Sequence, residues 1–343
     1  VFEDLGFVEL TAKQVSVWFG LCLGLAFGVM AEITRFCFRR GVVKSPDRKQ
    51  ALGVWLTAFA FAILSTQAAV ALGFVDFADH RLYATNMQVL AIVVGGLLMG
   101  TGMVLTRGCP SRVTVLFGTG NLRAGLVALI FGIVVLSTLK GLLAPVRLGL
   151  GIATVSPEWQ GFVDLPGGAL VWAVILASGA LVYAARSGAR VRDYILAALI
   201  GVLVAVGWVG SGYVLFDEFD PIAMESLGAT LPWSEMTFWT VASSSIPASF
   251  GVGLIGGMIA GGLVASVAGG RFKLQGFNGG PETLRYVIGA VLMGVGGVLA
   301  GGCTVGAGLA GMSTLSFAAL IAILSIAAGG VIADRLVDRR AAV

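Results

Sequence analysis

The sequence predicts an all-α integral membrane protein with about nine transmembrane helices, short re-entrant helices and inverted-topology repeats. Three observations carry that expectation. Of 343 residues, 57% are hydrophobic and 12% charged, too little polar side chain to coat a soluble globule. Nearly uncharged stretches of about 18 residues or more recur along the whole chain, whereas the alternating segments of about ten residues that a membrane barrel needs do not. Finally, a glycine-rich segment ending in cysteine occurs twice, far apart in the chain.

Hydropathy and breaker residues place the helices at 15–34, 51–72, 87–106, 122–139, 168–186, 193–215, 248–270, 284–300 and 314–333. The opening stretch "VFEDLGFVELTAKQ" lacks the basic start, apolar core and cleavage site of a signal peptide, so the first helix is expected to serve as its own insertion signal. After that helix, "RFCFRRGVVKSPDRKQ" holds six basic residues against one acidic, which marks it as cytoplasmic by the positive-inside rule. The N-terminus is then outside. "RSGARVR" and "GGRFKLQ" fall inside, "FDEFDPIAMES" outside and the tail "DRLVDRR" inside, all in agreement with nine spans. The net charge of +4 therefore reads as topology in a lipid bilayer, not as a nucleic-acid surface.

After the third and eighth helices come "TRGCPSRVTVLFGTGN" and "GGCTVGAGLAGMS", too short and too glycine-rich to span again. The segments leading into them, "GGLLMGTGMVLTRGC" (95–109) and "GAVLMGVGGVLAGGC" (289–303), agree at nine of fifteen positions. By the helix count they run in opposite directions. The chain accordingly divides into a first inverted repeat (1–139), a linker with one transmembrane helix (140–191) and a second inverted repeat (192–343). Such repeats place a site at the midplane, where broken helices meet, and backbone released from its helical bonds there must be buried in protein or line a wet cavity.

The candidate pathway residues follow from those breaks. Gly108 before Cys109, and Gly301 and Gly302 before Cys303 and Thr304, free backbone N–H groups at the start of a half-helix, where partial positive charge favours an anion. A thiol adds a weak, polarizable donor. Arg107 and Arg112 bracket Cys109 and suit an anion near the cytoplasmic side. Cys37 stands beside Arg35, Arg39 and Arg40, just after the first helix. Glu225, in "DPIAMESLGATLPWSE", occupies the equivalent point of the second repeat, in a membrane-entering turn or an external loop. Cys22 reads as packing and His80 as a solvated loop residue. No CxxC or metal-ligand cluster appears, so neither a disulfide framework, a metal nor a cofactor is indicated.

"RFCFRRG", "RGCPSR", "FDPIAMESL" and "GVGGVLAGGCTVGAGLAG", drawn from both halves of the chain, together resemble the YeeE/YedE family of bacterial sulfur-compound transporters. The resemblance implies a non-enzymatic, multi-pass protein of the bacterial inner membrane, with an hourglass-like central pathway along which thiosulfate passes from thiol to thiol. The three thiols would be Cys37, Cys109 and Cys303. "RGCPSR" departs from the family's usual Gly-Gly-Cys followed by small residues, which leaves the particular anion open: sulfite or another reduced sulfur or selenium compound, with a sulfur-oxidation or signalling role, is the alternative. A small cytoplasmic sulfur-carrier protein is a candidate acceptor. A membrane thiol or sulfurtransferase enzyme is opposed by the lack of paired cysteines or a companion base, and a Cu(I) carrier by the lack of Met-rich motifs.

Overall fold

A computed structural model describes residues 11–341 except 79, 84–85, 218–220 and 278, and the side chains through 336. The acidic first ten residues, part of the "FDEFDPIAMES" loop and the last basic side chains of the tail lie outside the described residues. Those described are helical, with no β-strand. In order the helices are α1 (Ala12–Thr34), α2 (Phe38–Val42), α3 (Arg48–Ala71), α4 (Val89–Leu105), α5 (Pro110–Gly118), α6 (Leu122–Lys140), α7 (Ala144–Gly151), α8 (Gly168–Ala185), α9 (Val191–Val209), α10 (Thr230–Ala242), α11 (Phe250–Ala268), α12 (Gly280–Leu299) and α13 (Phe317–Ala341). Among the described residues, nine segments are long and apolar enough to cross a membrane. They fall on the nine expected helices, and the protein is a multi-pass membrane protein.

Glycine sets how the helices meet. Lipid tails are as apolar as leucine, so helices associate in a bilayer by close packing rather than by the hydrophobic effect, and small residues allow the closest approach. On α1, Gly20, Gly24 and Gly28 lie against the Phe250, Leu254 and Met258 carbonyls of α11, where an added Cβ would come within 2.2–2.5 Å of oxygen. The reverse holds for Gly253, Gly257 and Gly261 against the Val17, Leu21 and Leu25 carbonyls. Two four-residue glycine ladders thus interlock backbone to backbone.

The other pairings are reciprocal. α1 packs on α11 as α9 packs on α3, and α4 packs on α13 as α12 packs on α6. α4 and α12 cross each other directly. There Gly95 meets the Gly296 carbonyl and Gly102 meets the Gly289 carbonyl. α8 stands apart: it buries only Ala173, Ala177, Ala180 and Ala184, one narrow stripe, against α3, and turns large apolar side chains such as Leu170, Val174 and Ile175 outward, as a lipid-facing helix does. The basic loops converge at one end of the bundle, where Arg35 and Arg40 share a cavity with Arg190, Arg192 and Arg271.

Candidate functional site

The same local geometry occurs at three helix ends. α1 ends at Thr34, Arg35 turns into the left-handed region at φ 52°, and Cys37 follows in extended backbone at the head of α2. α4 ends at Leu105, Arg107 is left-handed at φ 59°, and extended Cys109 caps α5, whose first residue is Pro110. α12 ends at Leu299, Gly301 is left-handed at φ 75°, and Cys303 leads into a π-helical turn over Gly306–Gly311. In each case a cysteine stands two residues after the reversal. Only the third site uses the residue that adopts this conformation freely. At the two arginines it costs about 1 kcal/mol or more, held by the surrounding packing.

The three thiols are buried, at 5%, 2% and 0% exposure for Cys37, Cys109 and Cys303, whereas Cys22 is exposed on the outside of α1, not packed inside as expected. The buried three connect. The Cys37 and Cys109 thiols are neighbours, and the buried Thr304 hydroxyl, without a hydrogen-bond partner of its own, lies near the Cys109 thiol. The Ser111 hydroxyl lies 3.6 Å from the Cys303 sulfur, which accepts from the Gly306 N–H at 3.4 Å. Trp233 pins α10 to this string by donating its indole N–H to the Thr114 hydroxyl at 2.8 Å.

Cys303, Gly301 and Gly302 border a cavity of about 440 Å³, together with His80, Glu225 and Thr230. Glu225 therefore lies with Cys303, in a segment whose backbone is clamped at N–H and carbonyl by the Ser211 hydroxyl. Arg35 and Arg40, on either side of Cys37, border the second cavity, of about 460 Å³. Beneath the thiols Arg112 donates to the Ala31 carbonyl and to Glu32, both at 3.0 Å, and Glu32 is approached by Arg271 at 3.6 Å. Gly108 is buried and its carbonyl accepts from the Thr106 hydroxyl. Arg107 is not part of this group: it is exposed, near Arg39 and Arg285. Among the described residues no three His, Cys, Asp or Glu side chains converge as a metal site would require.

A protein-family model described as sulphur transport matches residues 33–332, from the helix end before Cys37 to the last helix. The chain belongs to this sulphur transport family. Two of its relatives are thiosulfate transporters named TsuA. The one from Spirochaeta thermophila is 27% identical over 328 residues, covering 89% of this chain and 94% of the relative. The one from Escherichia coli is 26% identical over 326 residues, covering 84% and 86%. The relatives of this sulphur transport chain are thus named as transporters, not as enzymes.

His80 corrects the expectation of a solvated loop residue. Its ring packs edge-on against Phe77 and Trp208, and burial, with the nearby Arg81 charge, pushes its pKa down to about 4. The histidine thus shares a cavity with Cys303, although sequence distance separates them. Its Nδ1 accepts from the Leu82 N–H at 3.3 Å. Ser111 and Thr230 were not legible as members of this candidate site. Ser111 had a signal, its place two residues after a cysteine at a helix start, but Thr230 had none.

Proposed function

We propose that this chain carries thiosulfate, or a closely related sulfur oxyanion, into the cytoplasm, from the 440 Å³ cavity past Cys303, Cys109 and Cys37 to the basic end of the bundle. The observation that carries the reading is the row of three buried thiols, each delivered by the same helix break, Cys37 beside Cys109 and Cys303 against Ser111 of the helix that Cys109 caps, with one cavity bordered by Cys303 at one end and a second bordered by the neighbours of Cys37 at the other. The names of the relatives support the substrate.

The chemistry favours thiols for this task. A dianion cannot shed its water without replacement donors. Conduction also needs binding weak enough to release, and hydrogen bonds from charged donors, at about 1.5–3 kcal/mol each, would hold too tightly if stacked along the route. S–H groups and freed backbone N–H groups donate weakly. On this account the thiols form no covalent intermediate.

The two halves act as inverted repeats about the α4–α12 crossing. Gly95 and Gly102 stand in the first copy where Gly289 and Gly296 stand in the second, so the contacts Gly95–Gly296 and Gly102–Gly289 exchange under a two-fold axis. The basic end faces the cytoplasm of a bacterial inner membrane, with the N-terminus outside, where a small sulfur-carrier protein is a fitting acceptor.

Uptake of radiolabelled thiosulfate into proteoliposomes, in competition with unlabelled thiosulfate, sulfite, sulfate and selenite, tests the reading. Label is expected to accumulate above protein-free vesicles and to be suppressed most strongly by thiosulfate. Accumulation no greater than in empty vesicles would overturn it.

A further inference from the structure

The cavity beside Cys303 contains polar groups that a route of thiols leaves unused. Glu225 borders it, and its carboxyl meets that of Glu235 from α10. Glu235 itself accepts from two donors, the Ser249 hydroxyl and the Gly251 N–H at 3.1 Å. Two carboxyl groups this close cannot both carry charge cheaply. Facing Glu225 from other elements are Arg81, Asp76 and His80 of the segment between α3 and α4, and Cys303. Arg81 favours the charged form but is outweighed: burial first, and the Glu235 charge second, push Glu225 up to about 8. A second, independent feature points to a ligand. Thr230 borders the same cavity and is more than nine-tenths buried, and its hydroxyl has no hydrogen-bond partner.

We propose that the Glu225–Glu235 pair is a proton-binding site loaded together with the anion: a sulfur oxyanion entering this cavity binds with uptake of a proton onto Glu225, whose O–H and the Thr230 hydroxyl then donate to the anion's oxygens. The inference rests on the transport reading and deepens it. The proton comes from water in the cavity, and no bond between heavier atoms is made or broken. Its effect is physical: an ionised Glu225 would repel a dianion at close range, while the neutral acid removes that repulsion and adds a donor. His80, pushed down to about 4, stays neutral above pH 6 and supplies no competing titration in the range where Glu225 changes.

Isothermal titration of the full-length purified protein with thiosulfate, from pH 6.5 to 9 in buffers of different ionisation enthalpy, tests this. The substrate remains a dianion over that range. Wild type is expected to lose affinity about tenfold per pH unit above the Glu225 titration, with about one proton taken up per anion bound there. Glu225→Gln should flatten that slope and abolish the proton uptake, whatever its absolute affinity. Thr230→Val should weaken binding at every pH while leaving the proton count as it was. A flat wild-type profile without proton uptake, or the same slope in Glu225→Gln, would overturn the proposal, the latter by assigning the titration to the thiols. Should wild type bind no thiosulfate at any pH, the transport reading fails, and the infrared spectrum decides the proton site separately. A protonated-carboxyl C=O band that titrates near pH 8 in wild type and is missing from Glu225→Gln supports the site, and its absence from wild type contradicts it.

Discussion

Cys109→Ala is expected to lower thiosulfate uptake by about tenfold or more, the factor that follows from losing about 1.4 kcal/mol of stabilisation on the route. Cys109 is the middle member of the string: its thiol lies next to Cys37 and near Thr304, and it is 2% exposed. Alanine there removes the donor and leaves no water to take its place, so a partly dehydrated dianion meets an apolar gap where its charge is least compensated. Cys109→Ser separates donor loss from shape. The hydroxyl is a stronger, shorter-reaching donor than the thiol, so uptake should fall less than with alanine, with slower release of bound anion. Initial rates in proteoliposomes, with matched melting temperatures in detergent to show that the fold is kept, are the measurement. Equal rates for wild type and Cys109→Ala would remove Cys109 from the route.

Glu32→Ala is expected to destabilise the protein by about 3–5 kcal/mol, the range found when one partner of a buried ion pair is removed. Glu32 and Arg112 are 9% and 11% exposed along their side chains and 3.0 Å apart, with Arg271 at 3.6 Å on the other carboxylate oxygen. Without Glu32 the Arg112 guanidinium keeps the Ala31 carbonyl but loses its counter-charge while remaining only 11% exposed. This pair also ties the end of α1 to the start of α5, and so holds the two breaks that carry Cys37 and Cys109 against each other. Glu32→Gln, which keeps an acceptor, should cost less. In a double-mutant cycle read by thermal unfolding, Glu32→Ala with Arg112→Ala should lose clearly less than the two single losses added together. Additive losses would show that the pair does not act as a unit.

The nine spans were legible because a bilayer imposes length and apolarity on any helix that crosses it, and the sequence likeness of the α4 and α12 segments lies in glycines and a cysteine that keep one register. α10 was not foreseen as a helix. At thirteen residues it is too short to span, and the prolines around it read as loop. The reversals before the cysteines were visible at Gly301 but hidden at Arg35 and Arg107, because an arginine in the left-handed region is held there by packing, and packing leaves no mark in local sequence. Arg107 and Arg112 looked equivalent on either side of Cys109. The break turns one outward and the other beneath the thiols, since residues on opposite sides of a reversed backbone point apart. The cavity beside Cys303 was the least legible part. It is assembled from the α3–α4 loop, the end of α9, α10 and α12, and His80, Glu225 and Thr230 meet only once those elements have packed.

Selenosulfate carries selenium where thiosulfate carries its terminal sulfur, so anomalous diffraction at the selenium edge from crystals of the wild-type protein soaked in it locates the anion directly. The account predicts a selenium peak between the two cavities, within hydrogen-bonding reach of the Cys303 or Cys109 thiol and not bonded to it. Selenium found only away from the three cysteines, or joined covalently to one of their sulfurs, would contradict it.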